Sequence, residues 1–414
     1  MSGVLPRRTA VIVFLAFAFA YFLSALVRAV TATLAPTLAE EFTLQASDLG
    51  LLAGGYFLGF AATQLPLGTW LDRHGPKKVA LGFLGVAVAG SLVFSVATGF
   101  SGLLAGRVLC GAGVSACLMA PLTGYRRWLT PTTQLRANSW MLMTGSLGML
   151  ASTLPVQWLL PHVGWRPLFW GLAALLALSM LLIYLVVPAW QQAPVVADQP
   201  APPKGYAAVW RHPYFRRMVP IGFCSYGGMV AMQTLWAGPW MVRVAGYTPL
   251  EAATGLFFIN LCMLCTFWSW GMLTPWLFRK GFHVDRLITW GLPVSFLVLA
   301  GTIAAGQHAG ALAWALFCMT STCVSLAQPA VAMVFPAALA GRALSAYNLV
   351  VFLGVFVLQW TIGLGVDFFS NAGLPAPDAF RATMSAFLVL SVISYLYFLW
   401  APGVRAAQAA PEQT

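Results

Sequence analysis

Charge is what this sequence has least of. Only 8% of its 414 residues are charged. Its ten acids are Glu40, Glu41, Asp48, Asp72, Asp198, Glu251, Asp285, Asp367, Asp378 and Glu412, and none falls near the middle of a long apolar run. Histidine is equally absent from the middles of those runs. The seven cysteines (Cys110, Cys117, Cys224, Cys262, Cys265, Cys318 and Cys323) show no paired spacing and lie in apolar surroundings, which argues against a disulfide scaffold and for small buried hydrophobes. A phosphate-binding glycine loop, a nucleophile elbow and a metal-spaced histidine set are all missing. No enzyme activity, cofactor or metal centre is therefore expected.

What is present is apolar residue in bulk. The hydrophobic fraction is 60%, against about 45–50% in soluble domains. It comes in about twelve runs of roughly 20 residues, each long enough to cross the ~30 Å hydrocarbon core as a helix. The runs fall near 9–34, 48–70, 79–98, 101–123, 137–160 and 166–188, then 217–241, 250–277, 286–306, 310–336, 344–368 and 379–400. The first is too long for a signal-peptide core and reads as a retained helix. Between the sets, 189–213 is polar and proline-rich (Gln199-Pro200-Ala201-Pro202-Pro203-Lys204) and reads as a linker. The expectation is an all-α integral membrane protein: an N-terminal six-helix bundle over 1–188, a cytoplasmic linker over 189–213, and a C-terminal six-helix bundle with a short tail over 214–414.

The net charge of +12 could suggest nucleic acid. Its distribution does not, because the basic residues sit in short connectors between runs. Arg7, Arg8, Arg73, Lys77, Lys78, Arg126, Arg127, Arg136, Lys204, Arg279, Lys280, Arg342 and Arg405 all fall on one side of the membrane. By the positive-inside rule both termini and the linker are cytoplasmic, in a multi-pass inner-membrane protein. A monomer in contact with membrane lipids is expected, with no nucleic-acid partner.

One connector stands out: Gly68-Thr69-Trp70-Leu71-Asp72-Arg73-His74-Gly75-Pro76-Lys77-Lys78. It is similar to the loop between helices two and three of major facilitator transporters. Gly106-Arg107-Val108-Leu109-Cys110-Gly111-Ala112-Gly113 resembles that superfamily's fourth helix, and Gly164-Trp165-Arg166-Pro167-Leu168-Phe169 resembles its entry to helix six. The resemblance implies two pseudo-symmetric bundles that alternate access to a central site. It also implies gating roles for Gly68, Asp72, Arg73, Gly75 and Lys78, with Asp72 and Arg73 latching the halves. Gly271 to Gly281 echoes the loop in the second half without its acid. The fifth helix has glycines (Gly145, Gly148) but lacks the Gly-Pro pair common in the superfamily's antiporters.

Arg28 is the sharpest candidate for reading a substrate. An intramembrane arginine is costly and ordinarily faces a cavity or a partner. Tyr21, Ser24, Arg28 and Thr31 share one helix face by their three- and four-residue steps. The alternative is that Arg28 snorkels to the outer interface, about six residues or roughly 9 Å away. Arg107 is a second candidate, or else a hydrogen-bonding hub to backbone carbonyls. With no acid at membrane depth to neutralise them, the two arginines favour a small organic or inorganic anion. The position of Arg28 also resembles the first-helix arginine of the superfamily's organic-anion symporters.

Tyr226, Met229, Gln233 and Trp236 form a second face in the seventh run, and Gln64, Asn260, Gln328, Asn348 and Gln359 are the remaining amides inside runs. All are candidate substrate contacts, with interhelical hydrogen bonding as the alternative. Protons are the candidate coupling ion, carried through Asp367 or on the substrate. The alternative is a proton-coupled antiporter exporting hydrophobic or cationic compounds; ranked lower are a copper(I) importer using Met229, Met232, Cys262, Met263 and Cys265, and a sensor that does not transport.

Overall fold

The structure is a computed structural model and describes residues 4–189 and 205–401. Most of the predicted linker, the tail, Lys204 and Arg405 lie outside the described residues. In chain order the helices are α1 (Arg7–Glu41), α2 (Ala46–Ala62), α3 (Gln64–Ser95), α4 (Phe100–Val114), α5 (Ala116–Trp128), α6 (Pro131–Ala151), α7 (Leu154–Val163) and α8 (Trp165–Val186). They continue with α9 (Ala207–Arg211), α10 (Pro213–Ile221), α11 (Gly227–Ala231), α12 (Ala237–Arg243), α13 (Pro249–Arg279) and α14 (Val284–Ala305). The last four are α15 (Ala311–Ser321), α16 (Ala327–Val334), α17 (Ala337–Asn371) and α18 (Ala376–Trp400). Among the described residues, nine helical stretches are long and apolar enough to cross a membrane, and Ala46–Ala62 is a shorter apolar one. This is the all-helical membrane fold that the apolar runs predict.

Several predicted spans are helical but interrupted, and two of them bear on the site. In the fifth, Pro155 lacks the N–H that would continue the ladder, and α6 stops at Ala151 before α7 begins. The break frees carbonyls, and the Thr33 hydroxyl of α1 donates to the Ser152 carbonyl at 2.8 Å. The seventh span carries two π-helical turns, Gly222–Tyr226 and Met232–Trp236. Such wide turns occur mostly as single insertions at functional positions. A third departure concerns α1. The apolar run is expected to end near Leu34, yet the helix continues through Pro36 to Glu41. Arg28 therefore lies about 20 Å below the helix end, at 1.5 Å per residue, and not 9 Å.

The conspicuous connector is tighter than a loop. Helix α3 runs on through His74, breaks at Gly75 and resumes at once. Gly75 has φ +78°, a left-handed conformation that favours glycine. Gly281 has φ +79° at the equivalent turn of the second half. The ends away from the basic face repeat as well. Arg166 on α8 donates to the Ala97 carbonyl after α3, at 3.1 Å, and Arg381 on α18 donates to the Ile303 carbonyl of α14, at 3.0 Å. Glu41 completes the first staple, accepting from Trp165 Nε1 and Arg166 Nη1 at 2.6 Å each.

Close backbone contact holds the first bundle together. A Cβ on Gly111 of α4 would stand 1.8 Å from the Tyr56 carbonyl of α2, so only glycine fits. Gly111→Ala is expected to force these helices apart at a cost of about 1–3 kcal/mol. In detergent-purified protein this should appear as a lower Tm, while Gly85→Ala, whose Cβ would meet nothing within 4 Å, should leave Tm unchanged.

Candidate functional site

The site is built on α1 where it faces the other half. The Arg28 side chain is half-buried. Its guanidinium carbon lies 5.9 Å from the centre of the Phe60 ring of α2. It interacts electrostatically with the Tyr21 and Tyr56 hydroxyls, and with Tyr226 at the end of the first π turn of the opposite half. The snorkelling alternative is not what the fold shows, since these groups surround Arg28 far below the end of its helix. Among the described residues Arg28 takes part in no ion pair, whereas Arg166, Arg217 and Arg381 each do. The predicted polar stripe is real: Ser24 Oγ, Arg28 Nε and Thr31 Oγ1 are all buried without a hydrogen-bond partner among the described residues. Unsatisfied polar atoms in such a row are rare in native interiors.

Aromatic rings wall this stripe. Phe60 of α2 meets Phe352 of α17 with ring centres 4.4 Å apart, which joins the two halves beside Arg28. The Tyr21 ring packs where a Cβ on Gly145 would stand, 2.5 Å from Tyr21 Cε1, so one of the fifth-span glycines makes room for the site.

Arg107 is placed differently from its nomination as a substrate contact. It is fully buried at 0% exposure, and its guanidinium donates to the Val27 carbonyl at 2.8 Å and the Arg28 carbonyl at 3.4 Å. It also lies over the Tyr56 ring, 5.0 Å from its centre. The geometry is that of a brace that fixes the turn of α1 bearing Arg28.

The amides divide in the same way. Gln64 is buried and donates to the Phe60 carbonyl at 3.3 Å. Gln233 donates to Asn260 at 2.9 Å, and Asn260 donates in turn to the Leu256 carbonyl. Gln328 donates to Asn348 across α16 and α17. Gln359 is fully buried and donates to Thr234, while Trp236 donates to the Gln359 carbonyl at 3.2 Å. Met229 and Met232 are packed in the apolar core, whereas Cys265 is exposed, so the soft-ligand set is not brought together. Of the nominated contacts, only Tyr21, Arg28 and Tyr226 converge on one point. Tyr56 and Phe60 were not nominated. Their four-residue step to one face of α2, level with Arg28, is the signal that would have found them.

The halves meet at two opposite ends. Away from the basic face, the Asp367 carboxylate of α17 accepts from the backbone N–H groups of Ala46 and Ser47, at 3.1 and 2.8 Å. These are orphan donors at the start of α2, where the helix dipole favours a negative group. On the basic face Asp72 is exposed and lies in the field of Arg126 and Arg127 of its own half and Arg342 of the other. Arg73 and Lys78 are exposed on the same face, and Gly68 lies one helical turn before Asp72.

Long apolar helices, a buried arginine between them and contacts at both ends are those of a multi-pass membrane protein. The Major Facilitator Superfamily matches residues 17–359, and the chain belongs to that family. It is 32% identical over 143 residues to the inner membrane transport protein YajR of Escherichia coli (strain K12), across 34% of this chain and 30% of that one. It is 29% identical over 186 residues to a gallate transporter of Pseudomonas putida, across 44% of this chain and 40% of the relative. The chain thus spans less than half the length of these two curated relatives. Among solved structures it is similar to a bacterial homologue of the human lysosomal transporter Spinster, crystallised inward-facing and unoccupied. The TM-score is 0.79 at 17% identity, covering 96% of this chain and 98% of that one.

Asp367→Ala removes the acceptor of two helix-start donors. It is expected to cost this contact about 0.5–2 kcal/mol, a typical capping loss. Spin labels at Thr43 and Leu374, in the loops that follow α1 and α17, should report a longer-distance population that grows several-fold. An unchanged distance distribution would show that the carboxylate does not hold the halves together.

Proposed function

We propose that this protein is a secondary carrier of a small organic anion whose carboxylate pairs with Arg28. The observation that carries the reading is the row Ser24, Arg28 and Thr31: three buried polar atoms with no partner among the described residues, centred on a cation with no counter-charge. A bare cation in a low-dielectric interior is expensive, and a bound carboxylate offsets that cost with charge-assisted hydrogen bonds. A cationic substrate would meet Arg28 and Arg107 with no acid beside them.

The walls refine the class. Phe60, Phe352, Tyr21, Tyr56 and Tyr226 suit a flat ring, and aromatic carboxylates are the best match to a guanidinium among ring faces. The gallate transporter among the relatives supports this choice. Residues 1–188 and 214–414 would rock about the site, with Asp367 closing the outer side and Asp72 with Arg342 closing the cytoplasmic side. Both termini would be cytoplasmic in the inner membrane. Protons are the proposed co-substrate, entering on the weak acid or through Asp367.

Thermal stabilisation of the purified protein by benzoate, 4-hydroxybenzoate, gallate, short dicarboxylates and organic cations tests the proposal. Aromatic carboxylates should raise Tm. Arg28→Ala should weaken their binding roughly 10- to 150-fold, as expected for losing hydrogen bonds to a charged group. Arg28→Lys should recover only part, because an ammonium lacks the planar fork. Stabilisation by cations that survives Arg28→Ala would overturn it.

A further inference from the structure

Each half carries a groove on its outer flank that the transport reading leaves unused. The first, about 530 Å³, runs between α3 and α4, past Trp70, His74, Lys78, Gly82 and Val86. The second, about 460 Å³, runs between α13, α14 and the α15 end, past Trp270, Arg286, Trp290 and Val294. Their patterns are alike, although the cation follows its glycine by three residues in the first (75 to 78) and by five in the second (281 to 286). Lys78, Gly82 and Val86 step by four along one helix face, as do Arg286, Trp290 and Val294, and each set follows a positive-φ glycine, Gly75 or Gly281. In both, a cation on the basic face is followed by about 12 Å of apolar floor at helical rise.

These grooves face outward from spanning helices. Val86 and Trp290 are 38% and 70% exposed, on helices apolar enough to cross a membrane. What such a face meets is lipid. Nearby acids do not cancel the cations. Asp285 is taken by Arg217 at 2.7 Å and Tyr214 at 2.8 Å. Asp72 lies two residues from both Trp70 and His74, off their helix face, in the field of Arg126, Arg127 and Arg342.

We propose that each groove holds one anionic phospholipid of the leaflet beside the basic face, its phosphate at Lys78 or Arg286 and an acyl chain along the floor. The charge complements the site, since a lysine or arginine at the membrane surface attracts anionic lipid. The repetition in both halves matches a ligand that surrounds the protein on all sides. Lipid in the grooves would brace α3 just beyond its break at Gly75 and the start of α14 just beyond Gly281.

Native mass spectrometry of the full chain, titrated in detergent with phosphatidylglycerol against phosphatidylcholine, tests this. Wild type should retain two phosphatidylglycerol molecules with about fivefold preference, the ratio expected for one surface cation. Lys78→Gln and Arg286→Gln should each lose that preference at one site. Gly82→Leu should displace one lipid by filling the floor, where an added Cβ meets nothing within 4 Å, and Gly85→Leu, equally open but outside the groove, should displace none. Equal retention of the two lipids overturns the proposal. So does a set of charge and filling variants that hold as much phosphatidylglycerol as wild type.

Discussion

A positive charge held deep between two helical bundles is the constraint on which the rest of this structure depends. Arg28 sits about 20 Å from the C-terminal end of α1, where desolvating a guanidinium is costly. Several features meet that cost. Arg107 secures the carbonyls of Val27 and Arg28 and fixes the turn that presents the side chain. Tyr21, Tyr56 and Tyr226 turn hydroxyls toward it, and the Phe60 ring offers a π-face. None of these groups carries a full negative charge, so the cation keeps its capacity for an anionic ligand.

The surroundings of that charge come from both halves, which ties binding to movement. Tyr226 and Phe352 belong to the second bundle and Arg28 and Phe60 to the first. Any rocking of one bundle against the other must therefore remake the site. The contacts at the two ends are of a kind that can exchange. A carboxylate on orphan N–H groups, as at Asp367, and a carboxylate in the field of arginines, as at Asp72, are each strong when formed and readily rehydrated when broken. The interior pairs differ. Gln233 with Asn260 and Gln359 with Thr234 lie within one bundle, so they would move with it as parts of one body.

Much of the fold is legible in the sequence because the bilayer imposes a simple rule. Backbone polar groups must be satisfied within each crossing, so apolar length reports helices almost directly. The runs near 166–188 and 286–306 correspond to α8 and α14 within two residues. Breaks were harder to see, because they depend on which neighbour can accept the freed groups. The α6 to α7 break is tolerated through Thr33 on α1, 119 residues away in sequence. The site was legible in part. Spacing along α1 revealed the face bearing Arg28, since a helix lays residues three and four apart on one side. It could not show that Arg107 on α4 bonds the backbone of that same turn, or that the Gln359 amide nitrogen donates to Thr234 on a distant helix.

The sequence by itself determined that the chain crosses a membrane many times, that one face is basic, that the connector at Gly68 to Lys78 is a turn between crossings, and that a polar stripe runs along the first helix. These follow from composition and local periodicity, which need no knowledge of what lies opposite. Only the tertiary structure decided which polar groups face one another: Arg28 among tyrosines, Arg107 on carbonyls, Asp367 on the start of α2. The physical reason is that a hydrogen bond or charge pair is set by distance in space, within about 3 Å, and the helices that bring such partners together are far apart along the chain.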